Sequence, residues 1–167
     1  MSKSINLIMK KLFLVLVAVT MTATIMGQQN SGEYVDLGLP SGILWKSVNE
    51  DGLFTWQQAI DKYEEQLPTK EELTELIEEA RWFKVNESDV KAIGTNGKYI
   101  TFPADGYRAC DGRMDYMGNY GFIWSSSKEG NAAWTFYFYS YSYLDIFFDM
   151  QTLCKGHNVR LVKRKAK

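Results

Sequence analysis

The second half of the chain alternates apolar and polar residues, and this period of two predicts β-strands. The clearest stretch is residues 134–148, where an extended chain places Trp134 and Phe136 on one face and tyrosines on the other. Turn-forming residues at 94–97 and 128–131 interrupt the alternation, as they do between the strands of a hairpin. We therefore expect antiparallel strands joined by turns throughout this half.

Two helices are predicted ahead of these strands, because each has its own start signal. Thr55 with Gln58, and Thr69 with Glu72, have the spacing of a capping box, in which two side chains satisfy free amides of the first turn. Apolar residues then recur at helical spacing: Trp56, Ala59, Ile60 and Tyr63 in the first helix, and Leu73, Leu76, Ile77 and Ala80 in the second. Together with the strands, they give an α+β pattern.

The composition narrows the class of protein. A chain of 167 residues that is 46% hydrophobic and 23% charged can bury a core, which excludes collagen-like and disordered proteins. The net charge of −1 provides no basic field, so we expect no nucleic-acid partner. One histidine and two cysteines leave almost nothing for a zinc site, and we expect no cofactor.

The N-terminal segment is typical of a secretory signal. Lysines precede an apolar run over residues 12–26, which is shorter than the roughly 20 residues of a membrane span. We expect 1–27 to be a signal peptide that is cleaved after Gly27 and before Gln28; an uncleaved anchor is the alternative. No cysteine follows the run at once, which argues against a lipoprotein.

Removal of the signal peptide would leave a chain of three parts. We expect 28–32 to be a short extension, 33–164 a single domain and 165–167 a basic tail, with no membrane span in the mature chain. The leader holds three lysines and no acid, so 16 of the 19 basic side chains would remain against 20 acidic ones, a net charge of −4. The predicted location is the periplasm, the outer surface or the medium.

The expected export bears on whether the two cysteines form a disulfide. Cys110 and Cys154 would meet an oxidising compartment, and we predict a disulfide between them. Two buried free thiols are the alternative. His157 lies three residues from Cys154, but that spacing alone does not indicate a catalytic cysteine, which needs a base beside it in space.

Five segments in order resemble one family. They are YVDLGLPSGILW at 34–45, LPTKEEL at 67–73, FPADGYR at 102–108, GFIWSSS at 121–127 and HNVRLV at 157–162. In these motifs the chain resembles the Fibrobacter succinogenes major paralogous domain family, which is abundant in Bacteroidetes. The family often carries a longer insertion after the first segment, and this chain lacks it.

The resemblance implies a C-type-lectin-like α+β fold, with two helices packed beside a small twisted, mostly antiparallel sheet and long loops. It does not imply a ligand, because one fold supports many functions. The calcium-dependent sugar-binding motifs of true C-type lectins are absent. Asp105, Asp111, Asp115 and Asn119 offer oxygen ligands from one predicted loop, but loop acids more often form turns, so we predict no metal site.

Motifs for catalysis are also missing. The chain has no Gly-x-Gly-x-x-Gly or phosphate loop, and Ser125–Ser127 lack the Gly-x-Ser-x-Gly turn of hydrolases. The two cysteines do not fit the motif of formylglycine-generating enzymes, which share the implied architecture. We therefore predict no catalytic residues.

Four tyrosines in alternate positions are the unusual surface signal. Tyr137, Tyr139, Tyr141 and Tyr143 would share one strand face, opposite the apolar one. Tyrosine combines a broad ring with a polar tip and is abundant in antibody paratopes. These four are therefore candidate ligand-binding residues; the alternative is a half-exposed strand that uses tyrosine for cross-strand packing.

The sequence favours an exported, non-enzymatic binding or adhesion-type module that recognises a glycan or a protein through an aromatic surface. Two other functions stay open: a secreted enzyme of unassigned chemistry, and a structural protein of the cell envelope.

Overall fold

The computed structural model describes residues 32–165. The predicted signal peptide, its cleavage site and most of the 28–32 extension lie outside the described residues, as do the last two residues of the predicted tail. None of the helices within 32–165 is long and apolar enough to cross a membrane.

Short strands dominate the described part of the chain. They are β1 Tyr34–Asp36, β2 Leu44–Lys46, β3 Arg81–Lys84, β4 Asp89–Ile93, β5 Tyr99–Pro103, β6 Tyr107–Arg108, β7 Met114–Asp115, β8 Tyr120–Glu129, β9 Ala132–Tyr139, β10 Asp145–Thr152 and β11 Val162–Lys163. They form four small sheets with the orders β1-β2-β11, β3-β4-β5, β6-β7 and β10-β9-β8. Every pairing between these strands is antiparallel.

The two predicted helices are present and begin where their capping boxes indicate. Helix α1, Trp56–Tyr63, is capped by Thr55, and helix α2, Lys70–Glu79, is capped by Thr69. In the second cap the Thr69 amide donates to Glu72 Oε2 at 2.8 Å, while Thr69 Oγ1 accepts from the Glu72 amide at 3.2 Å. A 3-10 turn, Glu64–Gln66, joins the two helices.

The predicted C-type-lectin-like α+β class is wrong. The strands are divided among four separate sheets, and the helices have only eight and ten residues, so they do not form a layer beside one sheet. Turn residues interrupt the chain every few positions, and most strands therefore pair only with their neighbour in sequence. Two features differ from the predicted elements: β3 follows α2 directly, and the predicted loop at 105–119 contains the β6-β7 hairpin.

Two clusters of apolar side chains form the interior. The larger one surrounds Trp45, Phe102 and Phe136, and it includes Leu73 and Leu76 from α2. The smaller one surrounds Trp124 and includes Trp56, Ala59 and Leu67 from the helical segment, with Val159. The sheet β8-β9-β10 contributes to both clusters through its two faces: Ile123, Phe136 and Phe138 belong to the larger cluster, and Trp124 and Ala133, on the opposite face, belong to the smaller one.

The apolar patterns of the sequence predict seven core residues: Trp45, Leu73, Leu76, Ile77, Trp124, Trp134 and Phe136. Five of them are buried: Trp45, Leu73, Leu76, Trp124 and Phe136. Ile77 and Trp134 are only half-buried. Trp134 lies near the turn between β8 and β9, where its indole nitrogen donates to Glu129 Oε1 at 3.0 Å and its ring lies 3.6 Å from Lys70 Nζ. These contacts hold the Trp134 indole at the edge of the core.

Candidate binding face

One face of the sheet β8-β9-β10 is covered with aromatic rings. Phe136 and Phe138 of β9 are buried against the core, so the alternate residues Tyr137 and Tyr139 lie on the opposite face. The register places Phe122 of β8 opposite Tyr137. On the other side of β9, Phe147 of β10 is opposite the same tyrosine. Three aromatic residues therefore form one row across the three strands.

The rings in this row are stacked. The ring centroids of Phe122 and Tyr137 lie 5.2 Å apart with an interplanar angle of 18°, and those of Tyr137 and Phe147 lie 4.9 Å apart at 13°. This spacing matches the distance between neighbouring strands, so the rings stand up from the sheet side by side. The faces of Tyr137 are thereby occupied by its neighbours, and its edge and hydroxyl point outward.

A second cluster of rings lies beside the first. Tyr120 and Tyr139, which pair across β8 and β9, have their ring centroids 5.0 Å apart. Tyr143 meets Tyr139 edge-on at 5.1 Å, and Tyr116 meets Tyr120 in the same way at 5.1 Å. Tyr116 and Tyr143 are 55% and 60% exposed. They form the outer part of the cluster.

We call the whole set the aromatic face. Its members are Tyr107, Tyr116, Tyr120, Phe122, Tyr137, Tyr139, Tyr143 and Phe147. Tyr107, from β6, joins the set by an edge-on contact with Phe122 at 5.2 Å. The sheet and the β6-β7 hairpin therefore form this surface together.

The structure brings three of the four predicted tyrosines onto this face. Strand β9 ends at Tyr139, so Tyr141 and Tyr143 lie in the turn before β10 and do not continue the alternation. Tyr143 returns to the face through its contact with Tyr139. Tyr141 is 63% exposed, and its carbonyl accepts a hydrogen bond from Lys84 Nζ at 2.9 Å. Within residues 32–165, no ring contact joins Tyr141 to the face.

Ser140 explains why the strand ends there. It is buried, and its amide donates to the Asn119 carbonyl at 2.9 Å. Its hydroxyl lies 3.3 Å from the Ser88 carbonyl and can donate to it. These bonds turn the chain away from the direction of β9.

Sequence reasoning missed the other five members of the face. Phe122 and Phe147 come from strands on either side of β9, and only the register shows that they meet Tyr137. A signal existed for Tyr120 and Phe122, since they alternate at the start of a predicted strand. Tyr107 and Tyr116 come from the hairpin in the predicted loop, and no periodic pattern marks them.

Three carboxylates border the rings. Asp145 pairs with Tyr139 across the β9-β10 hairpin, Asp149 lies further along β10 on the same face, and Asp115 pairs with Tyr107. Burial raises the pKa of Tyr137, and the negative charge of Asp149 raises it further. Because the phenol stays protonated at neutral pH, it can both donate and accept a hydrogen bond.

Two buried, stacked rings, His157 and Trp124, lie behind Phe122. His157 is fully buried and stacks on Trp124, with ring centroids 4.1 Å apart and an interplanar angle of 24°. Among the described residues, neither ring nitrogen of His157 has a hydrogen-bond partner. Burial lowers the pKa of His157 well below its ordinary value, and the charge of Lys155 lowers it further. The ring packs against aromatic neighbours, which gives it a structural role.

The predicted Cys110–Cys154 disulfide is confirmed, with the two Cα atoms 5.1 Å apart. It joins the β6-β7 turn to the segment after β10. Beside it, Arg108 and Gly156 exchange backbone hydrogen bonds of 2.9 and 2.8 Å. The hairpin that supplies Tyr107 and Tyr116 is therefore fixed to the rest of the fold by covalent and hydrogen bonds.

The carboxylates of the predicted loop do not converge. Asp111 pairs with Arg113 at 2.7 Å, and Asp105 accepts from Asn158 Nδ2 at 3.1 Å. In the part of the chain that the structure describes, no three His, Cys, Asp or Glu side chains lie close enough to hold a metal ion.

The aromatic face lies in the part of the chain that matches a known family. No curated protein and no solved structure matches the chain. A family model matches residues 66–162, which is more than half of the sequence and includes every member of the face. The chain therefore belongs to the family described as Domain of unknown function (DUF8237).

Proposed function

We propose that this protein is an exported, non-enzymatic binding module that recognises a protein partner through the aromatic face. The observation that carries the proposal is the cluster of tyrosines around Tyr139, with Tyr116 and Tyr143 exposed at its outer side. Exposed tyrosines on a fixed scaffold are typical of recognition surfaces, because they offer large contact area at low entropic cost.

The stacking of the rings favours a protein over a glycan. Sugars bind best on open ring faces, but both faces of Tyr137 are covered by Phe122 and Phe147. The row presents ring edges and a hydroxyl group instead. Such a surface suits the mixed apolar and hydrogen-bonding contacts of a protein interface.

The charges indicate what kind of surface the partner has. Asp115, Asp145 and Asp149 border the face. Lys155 is the cation that the described residues place against a ring of the face, with its Nζ 4.6 Å from the Tyr107 ring centroid. A partner with lysine or arginine opposite the acids would gain electrostatic attraction and cation–π contacts. Binding should therefore weaken as the salt concentration rises.

Export is part of the same proposal. A disulfide between the two cysteines is typical of proteins in an oxidising compartment. The periplasm, the cell surface and the medium all fit, and the resemblance to the Fibrobacter succinogenes major paralogous domain family stays a prediction. A secreted enzyme and a structural envelope protein are the competing functions.

The test uses a matched pair of tyrosines. Tyr141 and Tyr143 are almost equally exposed and lie two residues apart, but only Tyr143 of this pair contacts the face within residues 32–165. Partners would be captured from envelope and culture fractions of the producing organism, purified, and titrated against wild type, Tyr143→Ala, Tyr139→Ala and Tyr141→Ala. We expect a loss of affinity of more than about tenfold for the first two variants and less than about threefold for Tyr141→Ala.

A glycan array with the same four proteins tests the alternative that the ligand is a sugar. If a glycan binds wild type and is lost with Tyr143→Ala, the ligand is a sugar and the proposal of a protein partner is wrong. If a captured protein binds all four equally, the face is structural. Tyr143→Ala should keep the fold, since that side chain is mostly exposed.

A further inference from the structure

The two edges of the sheet β8-β9-β10 differ, and the edge formed by β8 is covered. The Gly106 amide donates to the Tyr120 carbonyl at 2.7 Å. Next along the strand, the Asn158 amide donates to the Phe122 carbonyl at 3.0 Å, and the Asn158 carbonyl accepts from the Trp124 amide at 3.1 Å. Over residues 120–124, the backbone of β8 is therefore paired on its outer side as well as with β9.

Strand β10 forms the opposite edge of the sheet. It has eight residues, Asp145–Thr152, without proline or glycine. Within residues 32–165, β9 is the strand that pairs with it, and no backbone hydrogen bond from another strand reaches its outer side. A long, unbroken edge of this kind is a template for one further strand, which proteins usually prevent or use.

Two aspartates show which backbone groups of β10 point outward. Asp145 Oδ1 accepts from the Ile146 amide at 3.0 Å, and Asp149 Oδ1 accepts from the Met150 amide at 2.7 Å. An edge strand directs the amides of alternate residues away from its neighbour, so the Phe148 amide, midway between these two, points outward as well. The edge therefore offers a row of three amides, and carboxylates hold two of them.

These two carboxylates lack a cation within the described part of the chain. Both side chains are exposed, and no salt bridge of residues 32–165 includes either of them. Asp145 and Asp149 lie on the same side of the sheet as Phe147, one before it and one after it, because side chains alternate along a strand. Phe147 stacks on Tyr137. At β10, the aromatic face thus ends in the pattern acid, aromatic ring, acid.

This pattern indicates which strand would fit. A strand added beside β10 would place alternate side chains directly opposite Asp145, Phe147 and Asp149. Lysine or arginine opposite each acid would gain electrostatic attraction, and an apolar side chain between them would continue the row of rings. A second copy of β10 would instead bring further carboxylates to the same edge, and like charges disfavour that pairing.

We propose that β10 binds an extended segment of the protein partner by strand addition, and that basic, apolar and basic side chains alternate along this segment. That the occupant belongs to a protein partner rests on the proposed function. Backbone hydrogen bonds to the edge provide affinity, and the side chains opposite the acids provide specificity. Cations that attract the two carboxylates also free the Ile146 and Met150 amides for the incoming strand. The acids therefore select a basic strand against others.

The test uses the peptide acetyl-TKTFTKT-amide, which carries lysine, phenylalanine and lysine on one face of an extended chain. The peptide TETFTET reverses its charge, and TKKFTTT has its composition but places the two lysines on opposite faces. NMR at pH 6.5 and constant ionic strength would follow amide shifts and hydrogen exchange in the oxidised protein. We expect saturable binding of TKTFTKT, with slower exchange at the outward amides of residues 146, 148 and 150. The other two peptides should bind at least tenfold more weakly.

Isosteric variants test the role of the acids. Asp145→Asn and Asp149→Asn should each weaken the binding of TKTFTKT at least threefold. An asparagine side chain can still accept from the next amide, so these variants remove the charge and keep the cover. Glu78→Gln removes an exposed acid on α2 and should change the affinity by less than twofold. All three side chains are exposed, so the variants should keep the fold.

Equal binding of TETFTET or TKKFTTT, unchanged exchange at residues 146, 148 and 150, or equal weakening by Glu78→Gln would overturn the proposal. Exchange that slows with protein concentration in the absence of peptide would assign the edge to a second copy and would overturn it too. If a captured partner depends on Tyr143 but leaves these three amides unprotected, strand addition alone is wrong. If TKTFTKT binds as expected and no partner depends on Tyr143, the proposed function of the aromatic face is wrong and the edge site remains.

Discussion

The stability of this protein should fall in mild acid because of one side chain. His157 is neutral and buried in the folded state, where its pKa lies well below the ordinary 6.5. In the unfolded chain the same imidazole takes up a proton as the pH falls below about 6.5. The unfolded state then binds more protons than the folded state, so acid favours unfolding.

The size of the effect follows from linkage. Each pH unit between the unfolded and folded pKa values lowers the free energy of unfolding by about 1.4 kcal/mol. As the pH falls from about 6.5, His157 should therefore remove up to about 1.4 kcal/mol of stability per pH unit, until the pH reaches the folded pKa. The full contribution of neutral His157 to the free energy of unfolding is present above about pH 6.5. This contribution stops decreasing once the pH falls below the folded pKa of the imidazole. Lys155 is the charged group that acts on the ring.

His157→Phe isolates this contribution. Phenylalanine keeps a flat ring against Trp124 and Phe122, and it removes the two unpaired nitrogens together with the titration. We expect wild type to be no more stable than the variant at pH 7.5, because buried unpaired polar atoms cost about 1–3 kcal/mol. The variant should gain further stability relative to wild type between pH 6.5 and pH 5.0, by up to about 1.4 kcal/mol per pH unit.

Urea denaturation at pH 7.5, 6.5, 5.5 and 5.0, followed by tryptophan fluorescence with the disulfide intact, measures both proteins. Carboxylates such as Asp105 titrate equally in the two chains and cancel in the difference. A constant difference in stability across the four pH values would refute the reasoning. It would mean that His157 keeps its ordinary pKa or is solvated when folded.

Three further predictions concern the framework. Changing Cys110 and Cys154 to serine should lower the free energy of unfolding by about 3–4 kcal/mol, given a sequence separation of 44 residues, as measured by urea denaturation against the oxidised wild type. Gly94→Ala should destabilise by more than about 2 kcal/mol in the same assay, because its Cβ would lie 1.9 Å from the Leu37 carbonyl oxygen; an unchanged midpoint would contradict that contact. Replacing Asp145 and Asp149 by alanine should promote self-association at high concentration, seen by sedimentation, because their carboxylates cover amides on the free edge of β10; a monomer at all concentrations would show that the edge needs no cover.

Local signals in the sequence were reliable. Thr55 and Thr69 predicted where both helices begin, because a capping box involves only residues three positions apart. The disulfide was predicted from the number of cysteines and the inferred export, without knowledge of where the chain places them. Each of these conclusions depended on few residues and on no long-range packing.

The fold class failed because it depends on which strands pair. The same alternating segments can form one sheet or several, and the sequence shows only which face of each strand is apolar. Among the named strands of residues 32–165, β2 and β11 pair over a long sequence distance, and the other pairs join neighbours in sequence. Isolated bridges, such as that between Phe54 and His157, add further long-range links. The resemblance implied two helices beside one small sheet, and it did not indicate how these strands pair.

For a related reason, the sequence predicted only part of the aromatic face. The alternation at 134–148 correctly placed Tyr137 and Tyr139 on one face. It also predicted a strand at Tyr141, where the structure has the turn between β9 and β10. The turn depends on Ser140 bonding to Ser88 and Asn119, which are 52 and 21 residues away in sequence. A periodic pattern describes only nearby residues, so it does not reveal hydrogen bonds between residues that are far apart in sequence.

The arrangement of the rings also bears on how the face would bind. Tyr139 is held by Tyr120, by Tyr143 and by the hydroxyl of Ser142 at 3.3 Å before any partner arrives. A side chain that is already ordered loses little entropy on association, whereas a free rotamer-rich side chain loses about 0.5–1.5 kcal/mol. Tyr139→Phe should therefore weaken partner binding modestly, because it removes the hydroxyl and its contact with Ser142 but keeps the ring contacts. Tyr143→Ala removes a ring that supports Tyr139 as well as a contact surface. A larger loss for Tyr143→Ala than for Tyr139→Phe in the same titration would show that the rings of the cluster contribute more to recognition than the Tyr139 hydroxyl, and an equal or smaller loss would contradict this.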